Sequence, residues 1–311
     1  YKKRIVDYMF SEYQAGRTPN PDVLCNREIK FDLFLEAALS LGADYVATGH
    51  YVRKEINSNG HFLLSGLDPN KDQSYFLCQV SEEQIKKALF PIGELQKSEV
   101  REIARKANLP TAAKKDSQGL CFIGKVSLPD FLQQQLVPKK GEVVIIEPNW
   151  TGYEDKKEDD YNVSARYHYQ KGDGKVIGEH SGVHNFTIGQ RKGINIGGMK
   201  EPLFVIGLDV ETNILYVGMG SSHPGLWSKG LFISYEEIHW INQSSKVAVG
   251  NELAVMARTR YRQPLKPATL KIEQEGAYLL FEESVSAIAP GQFAAWYEND
   301  VLLGSGVISQ R

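Results

Sequence analysis

Cysteine is scarce and scattered. Three occur in 311 residues, Cys25, Cys78 and Cys121, and no two form a C-x-x-C pair. That spacing excludes a zinc finger or ribbon and a disulfide-stapled scaffold, so no metal is expected. Long apolar runs are also missing: nothing approaches the ~18 consecutive apolar residues that cross a bilayer. The opening Tyr1-Lys2-Lys3-Arg4 leads into a polar, aromatic stretch rather than an apolar signal segment. The expectation is a cytoplasmic protein with reduced thiols and no membrane partner. An excess of charge of one sign is absent as well. A net charge of −2 leaves nucleic-acid binding open, because a local basic patch on a neutral protein suffices.

What is present is an ordinary globular composition, long enough for two or three cores. Residues 1–137 read as α/β. The chain enters a helix directly through Ile5, Val6, Met9 and Phe10, with no strand and no initiating methionine ahead of it, and reads as lacking its beginning. Thr18-Pro19-Asn20-Pro21-Asp22 is a stiff loop, since two prolines fix their own φ and restrict their predecessors. Asn26 then caps a helix running through Ile29, Phe31, Leu33, Phe34, Leu35, Ala38 and Leu39, stopped by Gly42. Asp44–Thr48 reads as a short buried strand ended by Gly49-His50, the place where open α/β sheets bind ligands. His61–Ser65 returns as a strand after the Asn57–Gly60 turn. Helices are expected near Glu82–Leu89 and Glu99–Ala107, the second capped by Ser98. Lys114–Gly124 reads as a loop.

From residue 138 the character changes to short strands. Residues 138–228 form a central unit with a polar insertion at about 149–175, expected to be exposed or a flexible hairpin. Residues 229–311 show β-branched and aromatic alternation over Leu253–Thr259, Ala268–Ile272, Ala277–Phe281 and Val301–Ile308, the pattern of a small β-barrel. Over residues 246–271 within it, Lys246, Arg258, Arg260, Arg262, Lys266 and Lys271 stand against one acid, Glu252. Arg258, Arg260 and Arg262 alternate, which predicts one face of a strand suited to a phosphate backbone, with Tyr261 for stacking.

The cysteines divide by surroundings. Cys25 follows the stiff loop at a helix start, where amide dipoles favour a thiolate, though a small buried residue is the alternative there. Asp22 would oppose ionisation at close range and suits substrate binding better. Cys121 sits among lysines in a glycine-bearing loop, the surroundings of a reactive thiol or of a strand edge beside solvated lysines. Cys78, in an apolar run, is a core residue.

Seven stretches, in order along nearly the whole chain, resemble the tRNA-specific 2-thiouridylase family. They are Thr18–Asn26, Ala47–Tyr51, Lys71–Phe76, Lys115–Gly124, Gly189–Gly193, Arg258–Gln263 and Pro290–Gln292. The resemblance implies an adenine-nucleotide alpha-hydrolase-like α/β domain, incomplete here, then a small central domain and a C-terminal β-barrel. It implies ATP, with Mg2+ as counter-ion, activating the C2 oxygen of the wobble uridine as an adenylate. Cys121, charged as a persulfide by a sulfur-relay protein, would deliver sulfur. Cys25 would act as nucleophile and end in a transient disulfide with Cys121. By the same likeness Asn20, Pro21 and Asp22 match target-base positions and Gly49 an ATP position. His50, Lys71, Asp72, Gln73, Arg260, Tyr261 and Gln292 match tRNA contacts. The substrates implied are wobble-uridine tRNAs such as those for Lys, Glu and Gln.

The chain departs from the family in holding no Ser-Gly-Gly-Val-Asp-Ser phosphate loop, so weak ATP binding and an exposed sheet edge are expected. A small-molecule sulfurtransferase of the same superfamily and an inactive RNA-binding protein are the competing readings. Gly189–Gly193 carries no role that chemistry alone assigns.

Overall fold

The computed structural model describes residues 2–114, 128–133, 135–154 and 159–310. Cys121 and the whole Lys115–Gly124 motif lie outside the described residues.

The first unit is helical with a minimal parallel sheet. A turn of π-helix, Lys2–Val6, leads into the helix Asp7–Gln14, which buries Met9, Phe10 and Tyr13. After the proline loop, one helical rod runs as Pro21–Cys25 (α), Asn26–Leu33 (π) and Phe34–Ser40 (α). Its cap is Asn20, not Asn26: the Asn20 side chain accepts from Val23 N at 3.3 Å, and Pro21 occupies the first helical position. Phe31 and Leu35 face the core, whereas Leu33 and Phe34 are exposed, because the wider π turns rotate the expected apolar face. Gly42, at φ +91°, ends the rod.

Strand Val46–Ala47 pairs in parallel with Ala88–Leu89. The second of these falls where a helix end was expected; the helix there stops at Lys86. The helix after it runs Lys97–Lys106 with Gln96, not Ser98, as cap, because Glu99 reaches back to Gln96 N at 2.6 Å. No residue of that helix is buried. With Leu41, Tyr45 and Leu89 exposed as well, this edge of the α/β unit is an open apolar surface.

The hairpin Val52–Asn57 and Gly60–Ser65 forms as the Asn57–Gly60 turn predicts, with Asn59 N donating to Asn57 Oδ1. Its second strand pairs with Val301–Val307, through Leu63 with Leu302 and Leu64 with Val301. The hairpin thereby extends the C-terminal sheet, and Arg53 seals the joint by pairing with Asp300.

The central unit is a four-stranded sheet. Gly141–Ile146 lies between Gly174–His180 (antiparallel) and Ile214–Met219 (parallel), and Leu203–Asp209 forms the far edge. The described residues of the polar insertion, 149–154 and 159–175, are packed rather than a flexible hairpin. Trp150, Tyr153, Tyr167 and Tyr169 pack edge to face, with Trp150–Tyr153 centroids at 5.1 Å and the Tyr153 and Tyr169 hydroxyls 3.0 Å apart. Arg166 then ties the insertion to both neighbours by donating to Ile206 O and Ile288 O. The aromatics interleaved with the charges are what hold the segment down.

The C-terminal unit is antiparallel in the spatial order Trp227–Ser234, Gly276–Ser286, Lys266–Glu273, Glu252–Arg258, Phe293–Glu298, Val301–Val307. Ser309 N donates to Phe232 O at 3.0 Å, bringing the end of the chain back to the first of these strands. Alternation places Ala268, Leu270 and Ile272 inside with Leu231, Leu279 and Trp296. Each buried side chain of this size contributes about 1.5–3 kcal/mol.

Candidate functional site

The loop Arg17–Pro21 is held from all three units. Thr18 N donates to Pro290 O at 2.8 Å, and the Gln292 side chain donates to Thr18 O at 2.8 Å and Pro19 O at 3.3 Å. Asn20 Nδ2 donates back to Gln292 Oε1 at 3.4 Å. The Thr18 hydroxyl bonds to that of Thr187 in the central unit at 3.0 Å. Gly291 permits this approach: its φ is +85°, and a Cβ there would stand 2.9 Å from Thr18 N. Three of the stretches singled out in the sequence, Thr18–Asn26, Pro290–Gln292 and the segment entering Gly189–Gly193, therefore meet at one place.

Cys25 lies one helical turn beyond this loop and is fully buried beside Val23 and Leu24. It is the fifth helical residue rather than the first, so the dipole argument for its thiolate weakens, since that field falls off within the first turn. The rod changes from α to π immediately after it, a local distortion that proteins concentrate at functional positions. Asp22 stands in the first turn, partly exposed. Asn26 is buried; its Nδ2 donates to Phe76 O at 2.9 Å, and among the described residues its Oδ1 has no partner.

The Lys71–Phe76 stretch packs between this rod and the barrel. Asp72 is buried and accepts from Gly66 N, Ser74 N, the Ser74 hydroxyl and the Arg258 guanidinium. Gln73 Oε1 accepts from Tyr51 N at 3.0 Å, and Lys71 is partly exposed. Tyr75 is completely buried, and its hydroxyl donates to Phe293 O at 3.0 Å. Burial pushes that hydroxyl far above the usual tyrosine range, so it stays protonated and able to donate. The Phe76 ring lies 4.2 Å from that of Tyr261. Tyr75, Phe76, Thr18 and Thr187 were not among the expected site residues. The Tyr75-Phe76 pair was read as the end of the Lys71–Phe76 stretch and as part of the apolar run around Cys78, with no role of its own.

Gly49 is exposed just past strand Val46–Ala47, and a Cβ there would meet nothing within 4 Å. That open backbone at a strand's carboxyl end is room for a nucleotide. His50 beside it is buried, bonded to the Thr48 hydroxyl at 3.0 Å, and lowered to about 3 by burial and by Lys30. It is a neutral imidazole at any ordinary pH.

The arginine row is overturned. The strand ends at Arg258; Thr259–Arg262 turn away, with Arg262 at φ +66°. Arg258 points inward to Asp72 and the Tyr297 hydroxyl, and Arg260 donates to Ile188 O at 2.6 Å. The excess of base is offset by acids from elsewhere: Lys266 pairs with Glu283 and Lys271 with Asp160. Gly189–Gly193 joins the central unit to the barrel. Gln190 locks the turn by accepting from Thr187 N, and Gly189, at φ +81°, leaves room for Ala287. Cys78 is core, fully buried and pushed up to about 12 by that burial. Among the described residues no cluster of His, Cys, Asp and Glu could hold a metal ion, and no helix is long and apolar enough to cross a membrane.

Three family profiles match in succession. They are described as a tRNA methyl transferase HUP domain (residues 1–125), a tRNA methyl transferase PRC-barrel domain (159–219) and an aminomethyltransferase beta-barrel domain (232–308). The chain is 58% identical to the tRNA-specific 2-thiouridylase MnmA of Christiangramia forsetii, covering 99% of this chain and 81% of that protein. It is 58% identical to the one of Flavobacterium johnsoniae over the same shares. Against the one of Bacillus subtilis it is 45% identical over 99% of this chain and 75% of that protein. The chain belongs to the tRNA-specific 2-thiouridylase family. The three-part fold follows: a nucleotide-binding HUP domain, a PRC-barrel-like central domain and a C-terminal β-barrel.

Proposed function

We propose that this chain is a tRNA-uridine 2-sulfurtransferase that replaces the C2 oxygen of the wobble uridine by sulfur, with ATP as co-substrate. The observation that carries this reading is the seating of the Thr18–Cys25 segment on the barrel through Gln292 and Pro290 and on the central domain through Thr187. A base presented at that loop meets backbone and side chains of a rigid, three-sided anchor next to a cysteine.

In this reading Asn20, Pro21 and Asp22 hold the target base, and Gly49 lets a nucleotide approach the strand end. ATP, when bound, would supply the adenylyl group that makes the uridine C2 oxygen a leaving group. The terminal sulfur of a Cys121 persulfide, loaded by a sulfur-relay donor, attacks C2; the C2–O bond breaks and AMP departs with the oxygen. The Cys25 thiolate attacks the Cys121 sulfur, the persulfide S–S bond breaks, and a Cys25–Cys121 disulfide remains for a reductant to open. A reducing cytoplasm suits such a transient bond. Lys71, Gln73, Arg260, Tyr261 and Gln292, with His50 and Asp72 behind them, lie on the elements that would face the tRNA.

The test is nucleoside mass spectrometry after incubating the chain with a wobble-uridine tRNA, ATP, Mg2+ and a persulfide donor. Wild-type chain should yield 2-thiouridine, which differs in mass from a methylated base. Cys25→Ser and Cys121→Ser should each abolish it while leaving tRNA binding intact. Product that persists in either variant sinks the mechanism. A small-molecule sulfurtransferase would instead show no salt-dependent affinity for tRNA in filter binding.

A further inference from the structure

The dipeptide Tyr75-Phe76 connects to both ends of the segment that carries Cys25. At the front, Asn20 Nδ2 donates to Gln292 Oε1 at 3.4 Å, and the next residue, Phe293, accepts from the Tyr75 hydroxyl through its carbonyl at 3.0 Å. At the back, Phe76 O accepts from Asn26 Nδ2 at 2.9 Å. Each residue also grips the barrel at the turn following Arg258. The Tyr75 hydroxyl reaches Thr259 O at 3.4 Å and Phe293 O at 3.0 Å, and the Phe76 ring lies on Tyr261 at 4.2 Å. Phe293 in turn follows Gln292, which holds Thr18 and Pro19. The seven positions from Asn20 to Asn26, which include Asp22 and Cys25, are thus held at the back by Phe76 and linked at the front, through Gln292 and Phe293, to Tyr75, and those two residues are bracketed by the barrel turn.

We infer that Tyr75 and Phe76 are positioning residues that couple the barrel turn Thr259–Tyr261 to the Asn20–Asn26 segment, so that RNA engaging the turn sets the placement of Cys25. The inference rests on the thiouridylase reading for its reaction, but the coupling is a property of the fold and has its own readout. Neither side chain needs to touch the reacting atoms. The Tyr75 hydroxyl has one proton and two carbonyls to serve, so a shift of the turn by a fraction of an ångström changes which partner it keeps. Among the described residues the buried Asn26 Oδ1 has no partner, so the hold on Phe76 through Nδ2 is the one polar tether they give that side chain.

Tyr75→Phe removes one hydroxyl and keeps the ring. Thiolation kcat should fall about tenfold, the order that losing one positioning hydrogen bond brings, with KM for tRNA unchanged. Independently of turnover, iodoacetamide labelling of Cys25, resolved by mass spectrometry, should respond to added tRNA in the wild type and lose that response in Tyr75→Phe. Phe76→Leu, which keeps the backbone carbonyl but not the ring stack, should lose it too and serves if Tyr75→Phe folds poorly. An unchanged kcat, a rise in KM without loss of kcat, a wild-type Cys25 indifferent to tRNA, or a response retained in both variants overturns the coupling. A wild-type chain that makes 2-thiouridine while both variants keep the response would refute the coupling and leave the function standing.

Discussion

Replacing Asp72 by alanine removes one member of a buried charge network and leaves the others in place. Its carboxylate accepts from two backbone amides, Gly66 N at 3.1 Å and Ser74 N at 3.0 Å, from the Ser74 hydroxyl at 3.0 Å, and from Arg258. The side chains of Arg258 and Asp72 are only 8% and 7% exposed, so water does not reach in to replace the lost partner. Stranding one ion of such a pair costs about 3–5 kcal/mol, against about 0–1 for an exposed pair. A loss of that size is a large part of the 5–15 kcal/mol that holds a typical domain folded. Urea unfolding followed by tryptophan fluorescence, to which Trp240 and Trp296 contribute from the barrel, packed edge to face 5.5 Å apart, reports the affected unit. Asp72→Ala should lower the midpoint by the equivalent of about 3–5 kcal/mol. Asp72→Ala with Arg258→Met should recover about 1–3 kcal/mol of it, because the stranded charge is gone. A single variant within about 1 kcal/mol of wild type, or a double variant no better than the single, would refute the reasoning. The same experiment bears on tRNA: if Asp72 acts through the fold, affinity lost in Asp72→Ala tracks the fraction unfolded.

Other expectations follow from burial and backbone geometry. Because His50 titrates near 3 when folded and near its ordinary 6.5 when unfolded, the unfolded chain takes up a proton in that window that the folded chain refuses. The stability tied to neutral His50 is therefore complete above pH 6.5 and declines as pH falls towards 3, by up to about 1.4 kcal/mol per pH unit. Urea midpoints at pH 7 and pH 5 should differ less in His50→Gln than in wild type, and equal differences would rule this out. Gly291→Ala places a Cβ 2.9 Å from Thr18 N at a φ of +85°. It should cost about 1–3 kcal/mol and loosen the Thr18–Pro290 bond, seen as a lowered Tm together with faster amide exchange at Thr18. Wild-type exchange at that amide in the variant would show that the loop does not depend on the glycine.

Much of the architecture was legible along the chain. Alternation in Lys266–Glu273 placed Ala268, Leu270 and Ile272 in a barrel core, the Asn57–Gly60 turn made its hairpin, and the apolar run around Cys78 went to the interior. These are local matters: the period of the pattern and the conformational limits of glycine and asparagine act on the residue's own backbone. The family, too, was written in seven short stretches in order.

Only the tertiary structure decided where the charges went. Arg258, Arg260 and Arg262 look alike in sequence, yet one is neutralised by a carboxylate 186 positions away, one is spent on a carbonyl 72 positions away, and the third turns out at a left-handed φ. Asp72 and Gln292 both match tRNA contacts along the chain, yet Asp72 is buried in an ion pair and Gln292 holds a loop 274 positions earlier. A side chain's charge states what partner it needs but not which one the fold will bring. Burial of an ion is settled by the complement that arrives from distant segments, and no local period records that.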